Sequence, residues 1–505
     1  MVFELSRATD APLYAQIESK IISLIENGVL KPEEKLPATR DLAVSLNVHR
    51  NTVVQAYQEL EVKGMVYSEV GRGTFVSKYA TPKETASSEK DFSFQGLYAE
   101  NWNAIDDSAM LALENVVRTC TKPEKLIAFS SVVPDKHIFP LREFQNCTYQ
   151  AIQEYGVDLL EMGDTQGFRP FLDYLPRFLI RRGMTVHADD LTVVSGIQQG
   201  IDLISRTLVN LGDTVLTEEM TYRGALRAFR SVGANVLGIP MDDQGMRMDV
   251  LETILSRQKV KLIYTIPTFQ NPTGCVMPLS RRKQLLELAY HYGVPVIEDQ
   301  YANELRLDGP DVLPLASLDE KGVVTVLGSF SKILFHGIRL GWIVTQNREF
   351  QERLIYAKRV TDWQNNYLIQ GAILKFCEEG YFDKYLKKKI RILKERRDAM
   401  FTASMEFLPP EVSFERPEGG LFEWISWQSP VDAYEVLMQA RQQGVLVTPK
   451  RFFSIRSDND NGMRLGFISQ TPDQIFEGVK ILGNIIRQHL QRPVASGDQV
   501  LAPVI

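Results

Sequence analysis

Between about 190 and 345, short apolar runs alternate with longer amphipathic stretches. The runs are LTVV (191–194), TVL (214–216), KLIYTI (261–266), VPVIE (294–298), VVTVL (323–327) and LGWIV (340–344). Continuous Val, Ile and Leu, without period-two alternation, suit strands buried on both faces. The stretches between several of them, such as 280–292, read as helices. This alternation predicts the α/β class: a mostly parallel sheet with helices on both faces. Residues 370–490 change character, with helices over 370–402, then short strands, then a helix over 472–490. That pattern predicts a second, smaller α+β lobe.

The first 78 residues follow a different plan. Leu13, Ile17, Ile21 and Leu24 recur at helical spacing and Gly28 is a stop. A second short helix opens near Pro37, and a third runs from Arg50 to Lys63, burying Val53, Tyr57 and Leu60, with Gly64 ending it. The segment MVYSEVGRGTFVS then offers two β-rich pieces around Gly71-Arg72-Gly73, a hairpin signal. Residues 79–95 are rich in Thr, Ser, Lys, Glu and Ala without apolar periodicity, and read as a linker. The last residues, QRPVASGDQVLAPVI, read as a tail.

Composition adds constraints. The chain has 505 residues, 44% hydrophobic and 24% charged, which is ordinary globular usage. A net charge of −6 does not advertise nucleic-acid binding. Locally, residues 35–78 carry six basic and four acidic side chains, a net of +2. One copy is a weak electrostatic binder of DNA, and two copies are needed for a useful site. Four cysteines stand far apart without any CxxC, which argues against a disulfide scaffold or zinc site and suits the reducing cytoplasm. The segment MVFELSRATD has no apolar core of a signal peptide, and no run of 18 apolar residues predicts a membrane span.

In open α/β sheets ligands bind beyond the carboxyl ends of the strands, so the chemistry is sought there. The first strand runs into Ser195-Gly196-Ile197-Gln198, a small-residue turn opening a helix and a natural seat for phosphate, or an ordinary βα turn. The 261–266 strand ends in Pro267-Thr268-Phe269-Gln270-Asn271-Pro272-Thr273-Gly274, where Asn271 is either a ligand donor or a turn former. The next ends in Glu298-Asp299-Gln300-Tyr301, a carboxylate placed for a cationic ring nitrogen or for a helix cap. Then come Gly328-Ser329-Phe330-Ser331-Lys332 and His336-Gly337-Ile338-Arg339-Leu340-Gly341, a candidate carbonyl-reactive amine with a phosphate clamp seven residues on.

In their order and spacing these segments resemble the fold type I aminotransferases, which use pyridoxal 5′-phosphate (PLP), over roughly 105–490. The resemblance implies that Lys332 bonds the cofactor, that Asp299 pairs with its ring nitrogen, and that Asn271 and Tyr301 hold its phenolic oxygen. It implies further that Gly196, Ile197, Gln198, Ser329 and Arg339 hold the phosphate, that Tyr222 stacks on the ring, and that Arg464 in GMRLGF binds a substrate carboxylate. Lys332, Asp299 and Tyr222 are the catalytic candidates. Three departures bear on substrate choice and turnover: Met162-Gly163-Asp164-Thr165-Gln166-Gly167 lacks the usual aromatic and Asp-Pro, Pro176 should interrupt the following helix, and position 302 is Ala.

The segments Leu36-Pro37-Ala38-Thr39-Arg40-Asp41, Val48-His49-Arg50-Asn51-Thr52-Val53 and Gly71-Arg72-Gly73-Thr74-Phe75-Val76 resemble the GntR-type winged helix-turn-helix. The third helix would enter the major groove by its N-terminal end. Arg40, Arg50, Asn51, Thr52, Arg72 and Gly73 are the DNA-contact candidates. His49 stands where that family usually has a serine cap, and a histidine is expected to cap poorly.

Together the two halves resemble the MocR/GabR type of bacterial regulator. The implied domains are 1–78 (winged helix), 79–104 (linker), 105–490 (PLP domain) and 491–505 (tail). Within the PLP domain the large lobe spans about 155–355, and the small lobe 105–150 with 370–490. The resemblance implies a cytoplasmic homodimer that binds operator DNA and responds to a small amino compound or to PLP. The alternative is a working aminotransferase with an accessory DNA-binding domain.

Overall fold

The structure, a computed structural model, describes residues 3, 5, 12–69, 71–78, 126–456 and 459–491. The linker expected over 79–104, the expected start of the small lobe up to 125, and the tail beyond Gln491 lie outside the described residues. Backbone contacts divide the chain into two units, Met1–Tyr98 and Ala99–Ile505.

In the first unit, helices α1 (Leu13–Glu26), α2 (Thr39–Ser45) and α3 (Arg50–Val62) precede an antiparallel hairpin, β1 (Val66–Glu69) and β2 (Gly73–Val76). Ile17, Ile21 and Ile25 of α1 close on Leu42, Val53, Tyr57, Leu60 and Val76 in one apolar core. The Tyr57 hydroxyl donates to the Pro37 carbonyl at 2.9 Å, fixing the start of the helix-turn-helix.

The second unit is built on a seven-stranded sheet. Its strands are β3 (Leu191–Val194), β4 (Thr214–Glu218), β5 (Asn235–Ile239), β6 (Leu262–Thr265), β7 (Val296–Gln300), β8 (Val324–Ser329) and β9 (Gly341–Val344). Their spatial order is β3-β9-β8-β7-β6-β4-β5, and only β9 runs antiparallel to its neighbours. The interior strands are buried along their whole length, as the continuous apolar runs require. The strand β5 was not among the expected runs: it is an edge strand, partly exposed and interrupted by Gly238, so its apolar signal is weak.

The small lobe places a four-stranded sheet, with strands at Val412–Phe414, Phe422–Trp427, Thr448–Pro449 and Gly462–Gly466, against the long helix Tyr381–Phe407, which in turn packs on the helix Pro472–Leu490. The break expected at Pro176 does not occur. The helix runs Arg169–Ile180 straight through it, with Phe171, Leu172, Leu175, Phe178 and Leu179 buried. Five buried side chains, each worth about 1.5–3 kcal/mol, outweigh one proline at about 3 kcal/mol. Among the described residues, no helix is long and apolar enough to cross a membrane.

Candidate functional site

Strands β7 and β8 end side by side, with Asp299 paired to Leu327 and Gln300 to Gly328. The loops beyond their carboxyl ends and the small-lobe sheet enclose a cavity of about 360 Å³. Lys332, Asp299, Asn271, Tyr301, Tyr222, Ile197, Gln198, Ser329, Arg339 and Arg464 all line it. Gly196 stands just behind. It precedes the helix Ile197–Leu208 with φ 85°, and a side chain there would lie 3.0 Å from the Arg339 guanidinium.

Arg339 itself adopts the left-handed conformation, φ 48°, and donates to the Ser195 carbonyl at 2.6 Å. The turn after β3 and the turn before β9 are thereby tied together. Ser329 accepts from the Ser331 backbone N–H at 3.0 Å and contacts the Ser331 hydroxyl at the same distance. These groups form a cup of helix-end N–H groups, hydroxyls and one guanidinium, which is the donor set for a phosphate.

Asp299 is fully buried. One carboxylate oxygen accepts from the Tyr264 hydroxyl at 2.5 Å, while Oδ1 has no hydrogen-bond partner among the described residues. Burial pushes its pKa up to about 7 against the pull of Tyr264. A buried carboxylate oxygen left open costs stability unless something cationic arrives to meet it. Lys332 donates to the Val132 carbonyl at 3.0 Å, and burial, then Arg464 and Arg339, bring its pKa down to about 8. A neutral amine is therefore accessible near physiological pH, as nucleophilic attack on a carbonyl requires.

Arg464, on the strand Gly462–Gly466, lies between aromatic rings, 4.9 Å from the Phe422 centroid and 4.8 Å from that of Phe453. It donates to Asn271 Oδ1 at 2.9 Å, so the expected substrate clamp and the expected ring-oxygen donor are bonded to each other. The Tyr301 hydroxyl donates to the Phe269 carbonyl at 2.7 Å, and the Tyr222 hydroxyl to Gln198 Oε1 at 3.0 Å.

Sequence reasoning missed several contributors. Tyr264 sits inside an apolar run and is legible only once β6 and β7 are adjacent. Asn365 donates to the Ser195 hydroxyl at 2.6 Å from 170 residues away. Lys389, fully buried on the helix Tyr381–Phe407, donates to the main-chain carbonyl of Lys332, and burial brings its pKa down to about 7. On an isolated helix it looks like any surface lysine. A larger cavity, about 620 Å³, shares Arg223 and Phe452 with this one. There Arg451 is neutralised by Asp432 and Asp460, and no lysine lines it among the described residues.

In the first unit Arg40, Arg50, Asn51, Arg72 and Gly73 are exposed and Thr52 is partly so. His49, expected to cap poorly, does make the cap contact: its Nδ1 accepts from the Asn51 N–H at 3.2 Å. Arg50 Nε lies 3.5 Å from the Thr39 hydroxyl, and Arg72 pairs with Glu69 at 2.5 Å. Gly73 has φ 118°, a backbone conformation that favours glycine, and the flexible end of the Lys35 side chain lies 2.8 Å from where a side chain would begin.

Residues 142–481 match the family Aminotransferase class I and II, and residues 13–76 match the Bacterial regulatory proteins, gntR family. The chain belongs to the MocR type of regulator, in which these two domains are fused. It is 28% identical to the probable rhizopine catabolism regulatory protein MocR of Rhizobium meliloti, over 95% of this chain and 94% of that one. It is 38% identical to aromatic-amino-acid aminotransferase 1 of Thermococcus litoralis, over 73% of this chain and 89% of that one. Among solved structures, α-aminoadipate aminotransferase LysN of Thermus thermophilus, complexed with N-(5′-phosphopyridoxyl)-L-leucine, superposes with a TM-score of 0.72 at 28% identity, covering 79% of this MocR-type chain and 99% of LysN. PLP is the cofactor of this family, and the open Asp299 oxygen, the Lys332 amine and the Gly196–Arg339 cup fit it.

Proposed function

We propose that this MocR-type regulator holds PLP in the 360 Å³ cavity and changes its hold on operator DNA when an amino compound enters there. One observation carries the reading. An amine with a lowered pKa and a carboxylate with an open oxygen share a cavity on the same chain as a winged helix. When bound, PLP supplies an electrophilic carbon for amines and a ring that draws electrons from them.

The chain's own residues do the rest. Lys332 provides the amine that anchors the cofactor and that an incoming amine must displace. Asp299 neutralises the ring nitrogen, with Tyr264 fixing its rotamer. Gly196, Ile197, Gln198, Ser329 and Arg339 hold the phosphate, Tyr222 covers the ring, and Asn271 and Tyr301 hold its phenolic oxygen. Arg464 binds the carboxylate of the effector, which has to compete with Asn271 for it. The cavity excludes water with Leu421, Phe422, Phe452 and Phe453. On the DNA side, Arg50, Asn51 and Thr52 at the start of α3 read the major groove, Arg40 supports them, and Arg72 and Gly73 follow the backbone. An effector switches the protein only if it binds the two DNA-affinity states differently.

The active species is a homodimer. The support is a set of exposed apolar side chains: Leu141, Tyr149 and Ile152 on one helix, and Leu160, Met162 and Trp363 brought together by Gln364 bonding to Gly163 and Glu161. A gel shift on the chain's own upstream region tests the function, with and without PLP and a panel of amino acids. Unchanged DNA affinity across all conditions sinks it. A response to PLP that ignores every amine makes the cofactor itself the signal. A second reading, a working aminotransferase, is favoured by the complete donor set. Steady keto-acid formation from an amino donor and a 2-oxo acid would establish it.

A further inference from the structure

The cavity holds a polar side chain that the proposed function leaves idle. His336 opens the short turn His336–Ile338, between Lys332 and Arg339 in the chain, and it lines the cavity. Its Nδ1 is buried and has no hydrogen-bond partner among the described residues. Burial, and then the charges of Lys332 and Arg339, hold the imidazole below the ordinary histidine range. The ring is therefore neutral at pH 7 and carries one N–H and one lone pair.

Lys332 and Arg339 both act on this ring as cations, and beside two cations a negative ligand is favoured. A neutral imidazole beside two cations serves an anion best as a donor. It adds a hydrogen bond without adding a third charge that must be desolvated. The open Nδ1 is the position from which such a bond would run.

We propose that His336 is a ligand-holding residue of this cavity, donating from Nδ1 to an anionic oxygen of the bound molecule. That oxygen belongs either to the cofactor's phosphate, beside Arg339, or to the effector's carboxylate, beside Lys332. The proposal rests on the PLP reading of the cavity.

The test uses the full chain with His336→Leu and His336→Asn, the second because its side-chain amide can place a donor where Nδ1 stands. Affinities are measured by absorbance titration for PLP and for pyridoxal, which lacks the phosphate. The PLP-loaded proteins are then titrated with L-phenylalanine and with phenethylamine, which lacks the carboxylate. A hydrogen bond to a charged oxygen corresponds to about 10- to 100-fold in affinity. If phosphate is the partner, His336→Leu weakens PLP by that factor and leaves pyridoxal unchanged. If carboxylate is the partner, PLP is unchanged and phenylalanine weakens relative to phenethylamine. In either case His336→Asn recovers most of the loss.

Wild-type affinity for every probe that wild type binds, kept by His336→Leu, overturns the proposal. So does an equal loss for PLP and pyridoxal in both variants, which would mark a packing role. If wild type binds neither PLP nor pyridoxal, the cofactor reading falls and this proposal with it. If wild type binds both, only the role of His336 is at stake.

Discussion

The cavity and the DNA reader use charge in opposite ways. In the cavity Asp299 and Arg464 are buried, as is Lys389 behind Lys332, and partners reach them across long sequence separations, such as Arg464 to Asn271 over 193 residues. In the winged helix the arginines are exposed, and Arg72, with 73% of its side chain accessible, finds its partner Glu69 three residues away. A buried charge is costly to place and decisive once placed. An exposed one contributes little alone and is screened by salt. The cavity should therefore fail residue by residue, whereas the reader should weaken gradually.

The largest effect tests the first half of that contrast. Lys332→Ala should abolish the borohydride-reducible imine of the purified, PLP-supplemented protein, while leaving the DNA affinity of the cofactor-free protein unchanged. A variant that keeps a borohydride-reducible imine would show that another amine carries the cofactor.

Next comes a pH effect on a buried carboxyl of the small lobe. Glu423 accepts from the Ser404 hydroxyl, and burial pushes its pKa from 4.5 up to about 8. Its folded-state pKa lies above the unfolded one, so stability is complete at low pH. That stability is lost as pH rises from about 4.5 toward about 8. Glu423→Gln should flatten this slope, worth about 1–4 kcal/mol across that range in denaturant midpoints. An unchanged slope would mean the group stays ionised.

On the reader, Arg50→Ala should cost about 1–3 kcal/mol of operator affinity and leave PLP content intact. Operator affinity should fall steeply with salt in wild type, whereas PLP affinity should change far less. Equal salt dependence of the two would erase the contrast. The smallest effect belongs to the cap. His49→Ala should lower the stability of the winged-helix unit by about 0.5–1 kcal/mol in thermal melts, and His49→Ser should restore it.

The sequence made the sheet and the reader legible because both rest on local signals. Continuous apolar runs located β3, β4, β6, β7, β8 and β9, and helical periodicity with stop glycines located α1 and α3. The strand β5 escaped because edge strands need less apolar surface, and the helix through Pro176 because packing outweighed a local rule. The cavity was legible where a motif fixes the backbone, at Gly196, Asp299, Lys332 and Arg339. It was illegible where a residue serves through distant contact. Tyr264, Asn365 and Lys389 have no local mark, since their partners lie on other strands or in the other lobe. His49 was misjudged because capping was assigned by residue type, whereas an imidazole nitrogen can also accept from a helix N–H.

Arg464 lies on one of the last strands of the chain. On a ribosome adding about 5–20 residues per second, roughly 20–80 s separate completion of the winged helix from synthesis of Arg464. Through that interval each nascent chain carries a finished DNA reader and an unfinished sensor. Residues 35–78 carry a local net charge of +2, and over the whole reader, residues 1–78, nine basic side chains meet ten acidic ones, so a single copy should hold DNA only weakly. A weak single-copy reader should therefore leave half-made chains largely off DNA until the rest of the chain is complete.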